Sequence, residues 1–151
     1  MTYINISRAT AIGVLTAGLF LQGCSSTPVA GGVVDGHLDG CPAKDNCIST
    51  FSTRNDQKIE PLHFNGPLSA AKTRLKTVLA QRGDNRIVEE GDTYLHVEFT
   101  TPLMHFVDDG EFLFGPGTIA IRSASRIGYS DFGKNRSRMA EIKAAFEPCC
   151  N

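Results

Sequence analysis

The sequence predicts an α+β fold of two layers, in which a twisted antiparallel sheet of about four or five strands has two helices packed on one face. Apolar residues recur at helical spacing over residues 68–82 and 134–146. They alternate with polar residues over residues 94–100, and turns rich in glycine and proline separate the strand candidates. With 151 residues, 41% of them hydrophobic and 21% charged, the chain has room for one compact core.

Residues 1–23 have the organisation of a bacterial secretory signal peptide, since a polar stretch carrying Arg8 precedes an apolar run at residues 11–21. That run of about 11 residues is shorter than the roughly 20 needed to cross a bilayer, which argues against a permanent transmembrane helix. It ends in LQGC, which resembles the lipobox of bacterial lipoproteins, although Gln22 replaces the usual small or aliphatic residue. The resemblance implies that Cys24 is the lipidation site, with a diacylglycerol thioether and a new amino terminus acylated by a chain such as palmitate.

The expected location is the bacterial cell envelope, where the chain contacts the membrane through its N-terminal lipid. In such lipoproteins Ser25, in place of Asp, favours the outer membrane, and the domain is expected to face the periplasm. The alternative is an ordinary cleaved signal peptide that leaves Cys24 as a free or disulfide-bonded thiol. Of the five cysteines, assigning Cys24 to lipid leaves four, an even number that favours the lipoprotein interpretation.

Residues 24–40 are predicted to form a flexible tether, because they are rich in glycine and serine and lack periodicity. A single α+β domain is expected over residues 41–151, and its first two cysteines flank a proline and an Asp-Asn turn, which favours a local disulfide in an oxidising periplasm. Other pairings stay open, because four cysteines allow three connectivities, and a zinc site is the less favoured alternative. No cofactor or metal is assigned. The disulfide candidates are Cys41, Cys47, Cys149 and Cys150.

The elements of the domain are expected in a fixed order along the chain. An edge strand at residues 58–64 precedes a helix that opens at Pro67 and ends at Gly83. Gly110 suggests a bulge or a close backbone approach within its strand. The final helix buries a stripe of apolar residues. The remaining strands are predicted at residues 86–90, 93–101, 106–114 and 118–123, and the stripe consists of Met139, Ile142 and Phe146.

Carboxylates and cations concentrate in two stretches joined by the turn at residues 115–117. Asp108, Asp109 and Glu111 lie in the strand before the turn. The cations that follow the turn are Arg122, Arg126, Arg136 and Arg138. The hairpin brings Glu111 roughly across from Arg122 or its neighbours, so a lattice of carboxylate–guanidinium pairs is predicted. In this interpretation, which the sequence favours for the cluster, the lattice holds the following polar loop and helix start against the sheet.

Two functional interpretations remain open beside the lattice. The first is a binding site for an anionic or polar envelope molecule, built from guanidinium, hydroxyl and amide groups near a helix N-terminus. The second is a hydrolase-like enzyme that uses the carboxylates with His96 and His105, and Ser123 or Ser125 as nucleophile. The motifs that usually accompany such chemistry, GxSxG, HExxH and a phosphate loop, are absent from the sequence, and no catalytic residue is assigned. The ligand-binding candidates are Arg122, Ser123, Ser125, Arg126, Asn135 and Arg136.

The chain after the tether resembles the domain-of-unknown-function 1499 family of bacterial and plastid proteins. The resemblance is carried by CPAKDNCIST at residues 41–50, the helix after Pro67, residues 94–114, and the long motif at residues 119–142. It implies the domain boundaries and no activity.

The charge balance excludes one class of partner. The formal net charge of −1, the absence of Trp and the aromatic content of 8% argue against nucleic acid. The sequence therefore predicts an envelope lipoprotein whose domain is a non-catalytic binding or scaffolding module. The expected partner, besides the membrane, is an envelope protein or an anionic small molecule, and the hydrolase-like enzyme is the alternative.

Overall fold

The computed structural model describes residues 27–147, so the predicted signal peptide, Cys24, Cys149 and Cys150 lie outside the described residues. The elements are numbered in chain order. They are β1 (Val33–Val34), β2 (His37–Leu38), β3 (Cys47–Ser49), β4 (Leu62–His63), α1 (Leu68–Arg82), β5 (Asn85–Glu90), β6 (Tyr94–Thr100), β7 (Val107–Gly115), β8 (Thr118–Ser125) and α2 (Lys134–Phe146).

The main sheet is antiparallel and has six strands. Its order is β3-β8-β7-β6-β5, and β4 also pairs with β8. Strands β1 and β2 form a separate two-stranded sheet. The α+β class is therefore confirmed, but the prediction of about four or five strands was too low. The additional pairings come from strands of two or three residues, which are too short to show a hydrophobic alternation in the sequence.

The hydrophobic core joins the sheet with both helices. Successive side chains of a strand point to opposite faces, and Leu95, Val97 and Phe99 of β6 are all fully buried in one cluster. Leu75 of α1 and Met139 of α2 belong to the same cluster. Pro67 precedes α1 and Gly83 ends it with a positive φ of 73°, a conformation that glycine adopts without steric cost.

Gly110 lies where the Phe99 ring packs against the backbone of β7. The pairing of β6 with β7 is regular through Val97 and Gly110, so there is no bulge at this position. A Cβ atom on Gly110 would lie 2.5 Å from Cε2 of Phe99 and 3.4 Å from Cε of Met139. The absent side chain therefore makes room for the Phe99 ring, which confirms a close approach rather than a bulge.

Residues 29–40 lie against the sheet, although the sequence predicts that residues 24–40 form a flexible tether. Residues 33–38 form the β1–β2 hairpin, and Leu38 is buried. The Ser49 hydroxyl donates to the Asp39 carbonyl, and further backbone groups of residues 29–40 bond to side chains of β7 and β8. These partners lie about eighty residues away in the chain, and a composition rich in glycine gives no indication of them.

Cys41 and Cys47 form a disulfide with a Cα–Cα distance of 5.6 Å, which confirms the predicted local pairing. Within residues 27–147, no helix is both long and apolar enough to cross a membrane.

Candidate functional site

The sheet face away from Phe99 carries a set of ionisable side chains that we call the polar network. Alternation along β6, β7 and β8 brings these side chains to one face, and the register pairs Glu111 with Arg122 and Glu98 with Asp109. The pairing of Glu111 with Arg122 is the one expected for a lattice of charges. The polar network consists of Tyr94, His96, Glu98, Asp109, Glu111, Arg122 and Arg126.

Glu111 is the centre of one half of the polar network and is fully buried. Its Oε1 accepts a hydrogen bond of 2.8 Å from the Tyr94 hydroxyl, and its Oε2 accepts one of 2.7 Å from Nη1 of Arg122. Burial, followed by the charge and hydrogen bond of Glu111, raises the pKa of Tyr94 far above its ordinary value. Tyr94 is therefore a neutral donor here and not a source of phenolate.

Asp109 is the centre of the other half and is also fully buried. Its Oδ1 lies 2.8 Å from Nε2 of His96, and both its oxygens accept from Arg126, at 3.0 and 2.8 Å. Nη2 of Arg126 also donates to Glu98. Burial opposes ionisation of Asp109, but the hydrogen bonds from His96, Arg126 and the backbone outweigh it and hold the pKa of Asp109 well below its usual range.

Residues 29–40 cover both halves of the polar network. The Val29 amide donates to Asp109 at 2.8 Å, and the Gly32 amide donates to Glu111 at 2.8 Å. Arg122 donates in turn to the carbonyls of Val29 and Gly40. Asp109 and Glu111, two of the three carboxylates predicted as alternative catalytic groups, are therefore paired with cations and covered by the chain itself.

Asp108 lies apart from this network and belongs to what we call the buried polar cluster. Its Oδ2 accepts a bond of 2.6 Å from Arg138 of α2, whose guanidinium lies 4.7 Å from the centre of the Phe99 ring. Asn135 joins the cluster through Arg138 and through the hydroxyls of two candidate ligands, Ser123 and Ser125. Among the described residues, Nε of Arg138 is a buried side-chain nitrogen that has no hydrogen-bond partner.

The sequence offers Arg138 as one cation of the lattice but does not indicate that it pairs with Asp108. A usable indication was its position three residues after Asn135 and one before Met139, on the helix side that contacts the sheet. The cluster leaves Ser123 and Asn135 fully buried, so neither side chain is presented to a ligand.

The remaining candidates lie elsewhere. Arg136 is exposed, and its guanidinium donates to the backbone carbonyls of Asp56 and Lys58 at 2.7 and 3.0 Å. His105 lies in an exposed turn with a φ of 52°. The structure therefore brings together His96 with Asp109, and Ser123 with Asn135, but not the complete set of either functional interpretation. No group of three or more His, Cys, Asp or Glu side chains within residues 27–147 is arranged to hold a metal ion.

One end of the sheet carries exposed apolar side chains that sequence reasoning did not single out; we call it the apolar end. It is built from the β6–β7 loop at residues 101–106 and the β8–α2 loop at residues 126–133. Its most exposed members are Phe132 at 97% and Leu103 at 86%. The indication in the sequence was the presence of large apolar residues in both turn-rich segments. The exposed apolar side chains of this end are Leu103, Met104, Phe106, Ile127, Tyr129 and Phe132.

A cleft of about 220 Å³ lies between the two loops of the apolar end. Phe106, Ile127 and Phe132 line it together with the polar residues Ser130 and Lys134. Asp131, also in the lining, accepts hydrogen bonds from the amides of Gly133 and Asn135. Because a carboxylate already caps the start of α2, this helix N-terminus does not offer the anion site that the sequence suggested.

A family model described as "Protein of unknown function (DUF1499)" matches residues 37–146. No curated protein and no solved structure matches the chain.

Proposed function

Because the chain belongs to the DUF1499 family of proteins of unknown function, whose description names no activity, we propose a function from its own residues. In this proposal the chain is a lipid-anchored envelope protein, attached to the outer membrane through Cys24 and facing the periplasm. Its domain acts as a non-catalytic binding module for an envelope molecule that has both an apolar and a polar part. The observation that carries the proposal is the cleft at the apolar end, where exposed rings adjoin Ser130 and Lys134.

The size of the cleft supports partial rather than complete enclosure of a ligand. Its volume of about 220 Å³ is below the roughly 300–1,000 Å³ of sites that enclose a small molecule. The aromatic rings favour an apolar chain or ring, and Lys134, which also lines the cleft, suits a polar or anionic group. The ligand class is therefore an amphipathic molecule of which the domain holds one portion.

The pairing of the carboxylates supports a non-catalytic role. A general acid or base must reach the proton that it transfers, whereas Asp109 and Glu111 are fully buried, hydrogen-bonded to cations and covered by backbone amides. The hydroxyl of Ser123 donates to Asn135 at 2.6 Å and is equally buried. We take both helices to cover the sheet face opposite this network. The apolar end then stays accessible to a ligand.

The lipid anchor is tested by mass spectrometry of the mature amino terminus. The expected result is a diacylglycerol thioether on Cys24, with an acyl group on its amine. A mature protein that carries an unmodified Cys24 thiol contradicts the anchor.

The binding role is tested by purifying the protein from solubilised membranes and identifying bound molecules by native mass spectrometry. We expect a co-purifying amphiphile that is lost in Phe106→Ser, because Phe106 lines the cleft. The matched control is Val34→Ser, which removes an exposed apolar side chain from the β1–β2 hairpin. Identical sets of co-purifying molecules in two folded variants, or none in the native protein, contradict a ligand in this cleft.

A further inference from the structure

We propose that the apolar end of the domain rests on the surface of the lipid bilayer, with Leu103, Met104 and Phe132 in the interfacial region. This orientation rests on the lipid anchor proposed above and goes beyond it. An anchor alone fixes the distance of the domain from the membrane but not the face that it presents.

The first observation is the composition and exposure of this end. Leu103, Met104 and Phe132 expose 86%, 61% and 97% of their surface, which is unusual for side chains of this size and polarity. The two loops lie side by side, since the Arg126 amide donates to the Val107 carbonyl and both loops line the same cleft. A group of exposed apolar side chains drawn from adjacent loops is typical of a protein or membrane contact.

The second observation is the direction in which the chain leaves the domain. The Val29 amide bonds to Asp109 and the Gly32 amide bonds to Glu111, so residues 29–32 run along β7 in its own direction. Followed backwards, this segment leads toward Val107, the first residue of β7, which comes directly after the loop at residues 101–106. The described segment therefore approaches the apolar end as it is followed back from Gly32 to Val29.

The third observation is the length of chain between the anchor and the domain. Five residue steps separate Cys24 from Val29, and at about 3.3–3.6 Å per residue they span at most about 18 Å. The nine residues of β7 extend about 30 Å at about 3.3 Å per residue, away from this end. A lipidated Cys24 therefore holds the apolar end near the bilayer and leaves the β1–β2 hairpin distant from it.

The charges at this end indicate that the contact is apolar. Asp131 and Lys134 line the cleft with opposite signs, and Arg126 is paired with Asp109 and Glu98. Among the described residues of the two loops and the cleft, cations do not outnumber carboxylates, so the contact should depend little on salt or on the fraction of phosphatidylglycerol. These observations select a lipid surface over a charged partner.

The experiment uses tryptophan fluorescence, because the chain contains no Trp. Full-length lipidated Phe132→Trp and Val34→Trp are reconstituted into phosphatidylethanolamine–phosphatidylglycerol vesicles that contain brominated lipid. Val34 is the control because it is an exposed apolar residue of the distant hairpin, with 56% of its surface accessible. We expect blue-shifted emission and strong quenching by brominated lipid for Phe132→Trp, at both low and high salt, and neither effect for Val34→Trp.

Failure of the orientation is distinguishable from failure of the anchor. If both variants float with the vesicles and Phe132→Trp is quenched no more than Val34→Trp, the anchor stands and the orientation is wrong. If neither variant floats, the anchor is wrong, and the orientation that depends on it is also wrong. Protection of Phe132→Trp from aqueous iodide without quenching by brominated lipid would overturn the proposal in favour of a protein contact.

Discussion

The substitution Glu111→Gln tests whether the polar network stabilises the fold. Glutamine keeps the size of the side chain but replaces one acceptor oxygen by an NH2 group. Each Glu111 oxygen accepts from two donors: Oε1 from Tyr94 and Gly32, and Oε2 from Arg122 and Gly31, the last at 3.4 Å. A hydroxyl can reverse its hydrogen bond, but an amide or a guanidinium cannot. Either orientation of the new side chain therefore sets two donors against each other.

The loss of unfolding free energy expected for Glu111→Gln follows from the burial and the charge of the ion pair. Removing one charge from a buried ion pair costs about 3–5 kcal/mol, because the remaining charge stays desolvated. Arg122 keeps its bonds to the carbonyls of Val29 and Gly40, so we expect the lower limit, about 3 kcal/mol. For a domain of this size, that loss of unfolding free energy lowers Tm by about 10 °C.

The assay is chemical denaturation of the wild type, Glu111→Gln and the control Glu60→Gln, an identical change at an exposed position. Hydrogen exchange at the amides of Gly31 and Gly32 supplies a local readout, since both amides donate to Glu111. We expect the Gly31 and Gly32 amides to exchange faster in Glu111→Gln than in the wild type, and at the wild-type rate in Glu60→Gln. A Glu111→Gln protein that is as stable as Glu60→Gln and equally protected at these amides would refute the role given to the network.

Three further predictions concern separate parts of the fold. Because the pKa of Asp109 is lower in the folded protein than in the unfolded chain, its stabilisation is complete above the unfolded value of about 4. It is lost as the pH falls toward the folded value, so unfolding free energy should drop below about pH 4 in the wild type and drop less in Asp109→Asn. Gly110→Ala should destabilise the domain by about 1–3 kcal/mol, because its Cβ would displace the Phe99 ring, and a crystal structure with an unmoved ring would contradict this. Reduction of Cys41–Cys47 should cost about 2 kcal/mol by the loop-closure relation for so short a ring, and an unchanged denaturation midpoint on reduction would contradict it.

The longer elements can be predicted from the sequence because their apolar residues recur at the spacing of a helix or of a strand. The helix expected to open at Pro67 and end at Gly83 spans Leu68–Arg82, and the helix expected at residues 134–146 has those bounds. Strand β6 begins and ends within one residue of its prediction. The short strands have no such pattern. Strand β3 has three residues, all buried, and exists because it pairs with β8. Such strands depend on tertiary pairing and not on local propensity.

The polar network could be predicted in part from the sequence, whereas the buried polar cluster could not. Alternation along β7 and β8 is enough to place Glu111 opposite Arg122, and the register has this pair. It also places Asp108 on the opposite face from Asp109, but it does not indicate that Arg138 of α2 reaches it. That contact depends on how the helix lies on the sheet, which hydrophobic periodicity alone leaves undetermined.

Asp109 and Glu111 first suggest catalysis, but in the polar network they position the chain before the domain. A free tether over residues 24–40 would let the domain rotate about its anchor. Hydrogen bonds to Asp109 and Glu111 hold the backbone of residues 29–32 against the sheet, and Val29 follows Cys24 by five residue steps. With Cys24 lipidated, as we propose, loss of either carboxylate would lengthen the tether as well as weaken the fold. Orientation at the membrane and stability of the domain would then change together, which is the relation expected if the two depend on the same hydrogen bonds.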